Sequence, residues 1–372
     1  MAQYIIVGCD LHDRSMLLRY SADSAASRKA TFRNDRDGRP AMLRWLRMLS
    51  VAEGGAKVVF GYEASSQGFT LYDAVTGAGF ECHVLAPSKM ARSPQARRSK
   101  CDDKDAQAIL ELLRGYLFAG NTLPDVRVPD AQSRDDRELT RARLAMGDEL
   151  TSTKTEVRCL LKRYGVEKPK SAGESWSKCF RAWLESLVAA NGPLGTYGAV
   201  SLSVLLRRVA FCETEVRYLD EHIRALARVP RHGAAVEAVT ERKGVGPLTA
   251  MVYLTELWDL RRFSNRRRVA GYLGLAPSKD ESGEQSDRKG HITHQGPARV
   301  RRVLAQAAWS WVRSDPEARA AFERLVARNP KKKKIALVAM MRRLAIWMWH
   351  TGKQAQEAAG VYAPAEAIPA TP

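Results

Sequence analysis

The chain has 372 residues, 45% of them hydrophobic, and 60 Lys and Arg against 41 Asp and Glu give a formal net charge of +19. Such length and apolar content exclude a wholly disordered chain and allow two or three domains, and the charge predicts a polyanionic partner, nucleic acid before anionic membrane, because surface cations release the counterions condensed on phosphate backbones. No apolar run of about 18 residues occurs and MAQYIIVGCD has no basic leader, so neither membrane spanning nor secretion is expected, and the expected location is the bacterial cytoplasm.

Tyr4 to Cys9 (YIIVGC) is a short apolar run that predicts a buried strand; SMLLRYS and SRKATFR predict two further β segments, and Pro40 to Leu49 a helix. KVVFGYE is the next buried-strand pattern, FTLYDAVTGAG a helix closed by glycine, and ECHVLAP a strand stopped by proline. A helix follows from about Asp102 to Phe118, which makes the N-terminal part an α/β domain with a mixed sheet.

From about Asp125 the sequence is long, charged and free of strand patterns. Leu202, Leu205, Val209, Cys212, Val216, Leu219, Ile223 and Leu226 keep unbroken 3,4 spacing, a coiled-coil seam. An earlier seam, Leu139, Met146, Leu150, Val157, Leu160 and Tyr164, is interrupted by Arg143 and Thr153. These helices can pair with each other or with a second subunit. A basic, helical, turn-rich region begins near Val236, and the Ala/Pro-rich end from Lys353 onward reads as a mobile tail. The six scattered cysteines have no C-x-x-C pair and no zinc-ligand spacing, so reduced thiols are expected.

Asp10 and Glu63 stand at the C-terminal ends of two predicted strands, where open α/β sheets place their sites. Asp102 and Asp105, three apart, share a helix face, and Asp103 points elsewhere, toward solvent. Clustered carboxylates repel, and Mg²⁺ or Mn²⁺ relieves that repulsion while clamping phosphodiester oxygens. In the last region the Gly244-Val245-Gly246 turn, with Pro247 opening a helix, can present backbone N–H groups to a phosphate in the manner of a helix-hairpin-helix. Lys243 and Arg266, Arg267 and Arg268 lie nearby, and Arg299, Arg301 and Arg302 follow a loop holding Ser278, Ser282 and Ser286. The lysine run Lys331 to Lys334 is either a solvated face or a phosphate contact, and Trp347 and Trp349 fit a packed helix.

Together these residues resemble the DEDD transposases of the insertion-sequence 110 family, the bridge-RNA-guided recombinases. The match runs through Asp10 in IIVGCDLH, Glu63 in VVFGYEAS and Asp102 plus Asp105 in SKCDDKDAQA. It continues through KGVGPLTA, RFSNRRRVAGYLGLAPS, Ser282-Gly283 and HITHQGPARVRRVL. Cys101 stands where such motifs often carry threonine, and Gly296-Pro297 where Gly-Asn is frequent.

The resemblance implies a RuvC-like, RNase-H-fold catalytic domain over residues 1–124, a helical coiled-coil region over 125–235, a transposase domain over 236–350 and a tail over 351–372. It implies a metal-binding tetrad of Asp10, Glu63, Asp102 and Asp105, and Ser282 as a nucleophile that becomes covalently joined to DNA. It further implies a structured guide (bridge) RNA, donor and target DNA as partners, and homodimers that assemble into a homotetramer. The alternatives are a RuvC-like Holliday-junction nuclease that uses water and a non-catalytic helix-hairpin-helix DNA-binding protein. An actin-like or sugar-kinase ATPase would require a second glycine-rich phosphate loop, which the sequence lacks.

Overall fold

The computed structural model describes residues 2–90, 102–189, 192–279, 289–328 and 330–361, and the chain forms two compact units, Met1–Pro129 and Asp130–Pro372. Unit 1 is built on a five-stranded sheet: β1 (Tyr4–Leu11), β2 (Ser15–Ala22), β3 (Arg28–Arg33), β4 (Lys57–Glu63) and β5 (Glu81–Leu85). The spatial order is β3-β2-β1-β4-β5, with β1–β2 and β2–β3 antiparallel and β1–β4 and β4–β5 parallel. Helices α1 (Gly38–Ala52), α2 (Thr70–Gly77) and α3 (Asp102–Ala119) cover it.

β1 and β4 read as continuous apolar runs because both faces of the sheet are covered. Ile5, Val7 and Cys9 with Val58, Phe60 and Tyr62 pack on Met42 and Leu46 of α1 and on Leu71 and Val75 of α2. The alternate residues Ile6 and Val59 pack on Ile109, Leu110 and Leu113 of α3. Gly8 lies on the α3 face, and a Cβ there would stand 2.3 Å from the Ala106 carbonyl oxygen and 2.5 Å from the Leu110 nitrogen. Only a residue without a side chain lets α3 lie this close to the sheet.

Unit 2 contains two long helices, α4 (Ala131–Arg163) and α6 (Gly195–Leu226), with α5 (Lys178–Ser186) between them in sequence. The pairs Arg143–Asp220, Lys154–Glu213 and Arg208–Glu156 run in opposite sequence directions, so α4 and α6 pack antiparallel within one chain. Leu202, Val209, Cys212 and Ile223 are buried, and both interruptions in the earlier seam are accommodated. Arg143 donates to Asp220 at 2.7 and 3.1 Å, and the buried Thr153 hydroxyl donates to the Glu149 carbonyl at 2.9 Å.

A second core gathers α7 (Pro230–Thr240), α8 (Pro247–Leu257), α9 (Arg266–Tyr272), α10 (Ala298–Ser314), α11 (Pro316–Arg328) and α12 (Lys333–Ala358). Trp349 is buried and donates its indole N–H to the Leu260 carbonyl at 2.8 Å, while Trp347 carries the Arg242 guanidinium 3.9 Å over its ring. Two short strands, β6 (Pro277–Lys279) and β7 (Lys289–Ile292), pair antiparallel. The five described cysteines are all free thiols, and no helix among the described residues is long and apolar enough to cross a membrane.

Candidate active site

The α3 face of the sheet carries Ile6, Gly8 and Asp10 along β1 and Val59, Gly61 and Glu63 along β4, because side chains alternate every residue. Cys9 is paired with Tyr62, so the next residues, Asp10 and Glu63, stand side by side on adjacent parallel strands. On α3, Ala106, Ile109, Leu110 and Leu113 are buried against this face. Four residues upstream of Ala106 and Ile109, one helical turn, lie Asp102 and Asp105. Close packing at Gly8 therefore aims the acidic first turn of α3 at the carboxylate ends of β1 and β4.

A residue with no assigned role in the sequence completes the geometry. His12 follows β1, and its Nε2 lies 2.9 Å from Asp10 Oδ2 and 3.2 Å from Asp102 Oδ2. Its backbone is fixed by an N–H bond to the Ser15 carbonyl (2.9 Å) and by the Asn34 side-chain amide donating to the His12 carbonyl (2.7 Å). Asp10, His12 and Asp102 each offer one ligand atom, all within 4.8 Å of one another. Among the described residues this is the one set of three or more His, Cys, Asp or Glu side chains so placed. Glu63 and Asp105 are not part of that set: Glu63 ends the adjacent strand β4, and Asp105 reaches Asp10 through its charge.

Burial raises the Asp10 carboxyl above its ordinary range; the charges of Asp102 and Asp105 add to that rise, and His12 opposes it. Burial would lower the His12 imidazole, but the charges and hydrogen bonds of Asp10 and Asp102 outweigh it and hold His12 above its usual value. Carboxylates brought this close repel one another, and with the imidazole beside them they form a donor set that fits a divalent cation.

The expectation that Asp103 points to solvent is corrected. Its carboxylate receives both Arg19 guanidinium donors, Nε at 2.8 Å, and Lys29 lies 3.6 Å away. The Arg19 hydrogen bonds hold Asp103 below the usual carboxylate range. One aspartate of the cluster thus anchors α3 to β2 while its neighbours face Asp10.

The residues expected to bind nucleic acid are placed variously. Lys243, Arg266, Arg267, Arg268 and Arg299 are exposed. Gly244 has φ +93° and sits against the α10 backbone, where a Cβ would meet the Trp311 nitrogen at 2.6 Å, so this glycine serves helix packing. Gly246, exposed at the N-terminus of α8, has open space where a Cβ would lie. Arg301 donates through one terminal nitrogen to the carbonyls of Leu273, Gln295 and Gly296 at 3.0 to 3.2 Å, which ties the preceding loop to α10. Arg302 is paired with Asp148. Ser282 and Cys101 lie outside the described residues; Lys279 and Lys289, which flank the segment of sequence holding Ser282, are paired in the β6–β7 ladder.

Comparison with known proteins decides the family. A DEDD transposase profile of the IS110 type matches residues 7–166, and the profile described as "Transposase IS116/IS110/IS902 family" matches residues 236–323. The protein named as transposase y4qE in Sinorhizobium fredii is 30% identical over 326 residues, 81% of this chain and 76% of that protein. The chain belongs to the IS110 family of DEDD transposases. The transposase for insertion sequence element IS1111A of Coxiella burnetii is 26% identical over 65% of this chain and 62% of its own length. That for IS1533 of Leptospira borgpetersenii is 24% identical over 67% and 69%. As an IS110-family transposase the chain is a DNA-recombining enzyme, and the acidic first turn of α3 and the end of β1 both fall inside the DEDD match.

Proposed function

We propose that this IS110-family transposase cuts and rejoins DNA strands in RNA-guided fashion, with Asp10, Glu63, Asp102 and Asp105 as the metal-binding tetrad and Ser282 as the nucleophile. The observation that carries it is the convergence of Asp10 and Asp102 on one point at the end of β1, with Asp105 close enough to raise the Asp10 carboxyl. The sheet order β3-β2-β1-β4-β5, with its first three strands antiparallel, supports an RNase-H or RuvC-like domain.

A divalent ion, Mg²⁺ or Mn²⁺, held by these carboxylates supplies Lewis acidity and charge neutralisation at the scissile phosphate. The protein's own groups do the rest. Ser282 Oγ bonds to phosphorus as the bridging P–O bond breaks; the serine proton passes, through a base or water, to the leaving oxygen. One strand end is left joined to the serine and the other as a free hydroxyl. The exposed Lys243, Arg266, Arg267, Arg268 and Arg299 bind donor and target DNA through phosphate, and base pairing with the guide RNA selects the sequences.

A homodimer, and from it a homotetramer, has support on the outer side of α6. Tyr197, Val204, Phe211 and Tyr218 recur every seven residues there and are 85%, 42%, 61% and 55% exposed. Such a stripe suits a second copy of the chain. Two α6 helices crossing antiparallel about Phe211 bring Arg207 level with the partner's Glu215, whereas a parallel pair opposes like charges.

The test uses the full chain, the non-coding RNA flanking its gene, Mg²⁺ and labelled donor DNA. A protein–DNA adduct that survives denaturation is expected from the wild type and absent from Ser282→Ala. Cleavage with no adduct in the wild type favours the water-using nuclease, and an equal adduct from Ser282→Ala removes the serine from the reaction.

A further inference from the structure

Four acids account for the family's name, yet the tightest cluster at the end of β1 contains an imidazole. His12 Nε2 stands 2.9 Å from one carboxylate oxygen of Asp10 and 3.2 Å from one of Asp102. Neighbouring ligand atoms around an octahedral ion with bonds of about 2.1 Å lie roughly 3.0 Å apart, the edge of that octahedron. The two spacings from His12 match those of adjacent ligands on one small cation, and all three ligand atoms lie within 4.8 Å of one another.

The position of His12 is also built in. It occupies the tight connection between β1 and β2, and its carbonyl accepts from Asn34, whose side chain is itself held by Gln67 (2.8 Å) and Arg39 (2.7 Å). One side chain, Asn34, thus fixes the His12 carbonyl, and Asn34 is itself held in place by Gln67 and Arg39. A solvated surface histidine has no need of such support, whereas a ligand gains affinity from being held in place.

We propose that His12 is a nitrogen ligand of the cation bound by Asp10 and Asp102, and that it biases the site toward Mn²⁺ over Mg²⁺. The proposal rests on the metal-binding reading of the acidic cluster given above. Mg²⁺ demands oxygen ligands and keeps its waters, while imidazole suits the first-row transition metals, so replacing one oxygen by nitrogen costs Mg²⁺ more than Mn²⁺. The competing role for His12 is that of a protonated cation filling the space between two carboxylates, in which case it opposes metal binding.

Full-length protein titrated with Mn²⁺ alone, followed by electron paramagnetic resonance, separates these. Wild type is expected to bind Mn²⁺ with a ¹⁴N coupling from directly bound imidazole. His12→Ala is expected to lose that coupling and to bind Mn²⁺ at least roughly tenfold more weakly, while Mg²⁺ affinity, read by competition, falls much less. Circular dichroism of the variant verifies that the fold is kept. Tighter Mn²⁺ binding in His12→Ala, or an unchanged ¹⁴N coupling, overturns the proposal. If that occurs while Asp10→Asn abolishes Mn²⁺ binding, the acidic metal site stands without His12. If the wild type binds no Mn²⁺, both fall.

Discussion

A Cβ on Gly8 would stand 2.3 Å from the carbonyl oxygen of Ala106, so the contact between β1 and α3 is one of backbone on backbone. Gly8→Ala is expected to push α3 off the sheet and to cost roughly 1–3 kcal/mol of stability, because neither backbone can yield cheaply. Gly61→Ala, which meets the flexible side chains of Leu113 and Ile109 at 3.0 and 3.3 Å, should cost less. Chemical denaturation of the two variants checks the order.

Asp10→Asn and Asp102→Asn each remove a charge from the cluster without changing side-chain size. Each is expected to lower donor-strand cleavage by about 100-fold or more, the scale of losing a group that stabilises transition-state charge. Asp103→Asn, which breaks the link to Arg19, should weaken cleavage far less. Single-turnover cleavage of labelled DNA distinguishes them, and equal losses in all three would remove the division of labour within α3.

Stability of unit 1 should depend on pH through His83 and Glu81. Burial lowers the His83 imidazole, but hydrogen bonds and charges of Asp125 and Glu81 outweigh it and raise it to about 9; the His83 hydrogen bond leads in lowering Glu81 to about 2, against burial. The raised histidine stabilises below its unfolded value near 6.5, and its contribution is lost as pH rises through about 9. The depressed glutamate stabilises above its unfolded value near 4.5, and its contribution is lost as pH falls through about 2. Both are in full force from about pH 4.5 to 6.5. His83→Gln should flatten the alkaline limb of a thermal-denaturation profile between about pH 6.5 and 9.

The α6 stripe makes a prediction about mass. Phe211→Glu should shift the protein toward monomer in light scattering, since it places a carboxylate at the centre of the apolar row. Arg207→Glu should weaken association and the double change Arg207→Glu, Glu215→Arg should restore it, as antiparallel crossing requires. A monomeric wild type would end this use of the stripe.

Much of unit 1 is legible in the sequence because its strands are short apolar runs ended by glycine, proline or acids, and because alternation alone puts Asp10 and Glu63 on one face. His12 carries no role in its motif alone; its partner Asp102 lies 90 positions away, and only the close approach at Gly8 brings the two together. The partner of Asp103 is hidden for the same kind of reason, since Arg19 lies 84 positions back on β2 and helical periodicity says nothing about it. In unit 2 the seam of α6 names its apolar face but not the partner, which proved to be α4; Arg143, an apparent break, was matched by Asp220 across the pair. The glycine turn shows a different limit: Gly-Val-Gly suits a phosphate or a tight helix contact, and the Trp311 backbone beside Gly244 accounts for the first glycine.

The glycine under α3 also bears on how copies of such an element decay. A copy in which Gly8 has become a bulkier residue would keep every acid in its reading frame, and by its motifs would pass as competent. Its carboxylates would nonetheless no longer meet, so the smallest residue on β1 is as informative about a living element as the acids themselves.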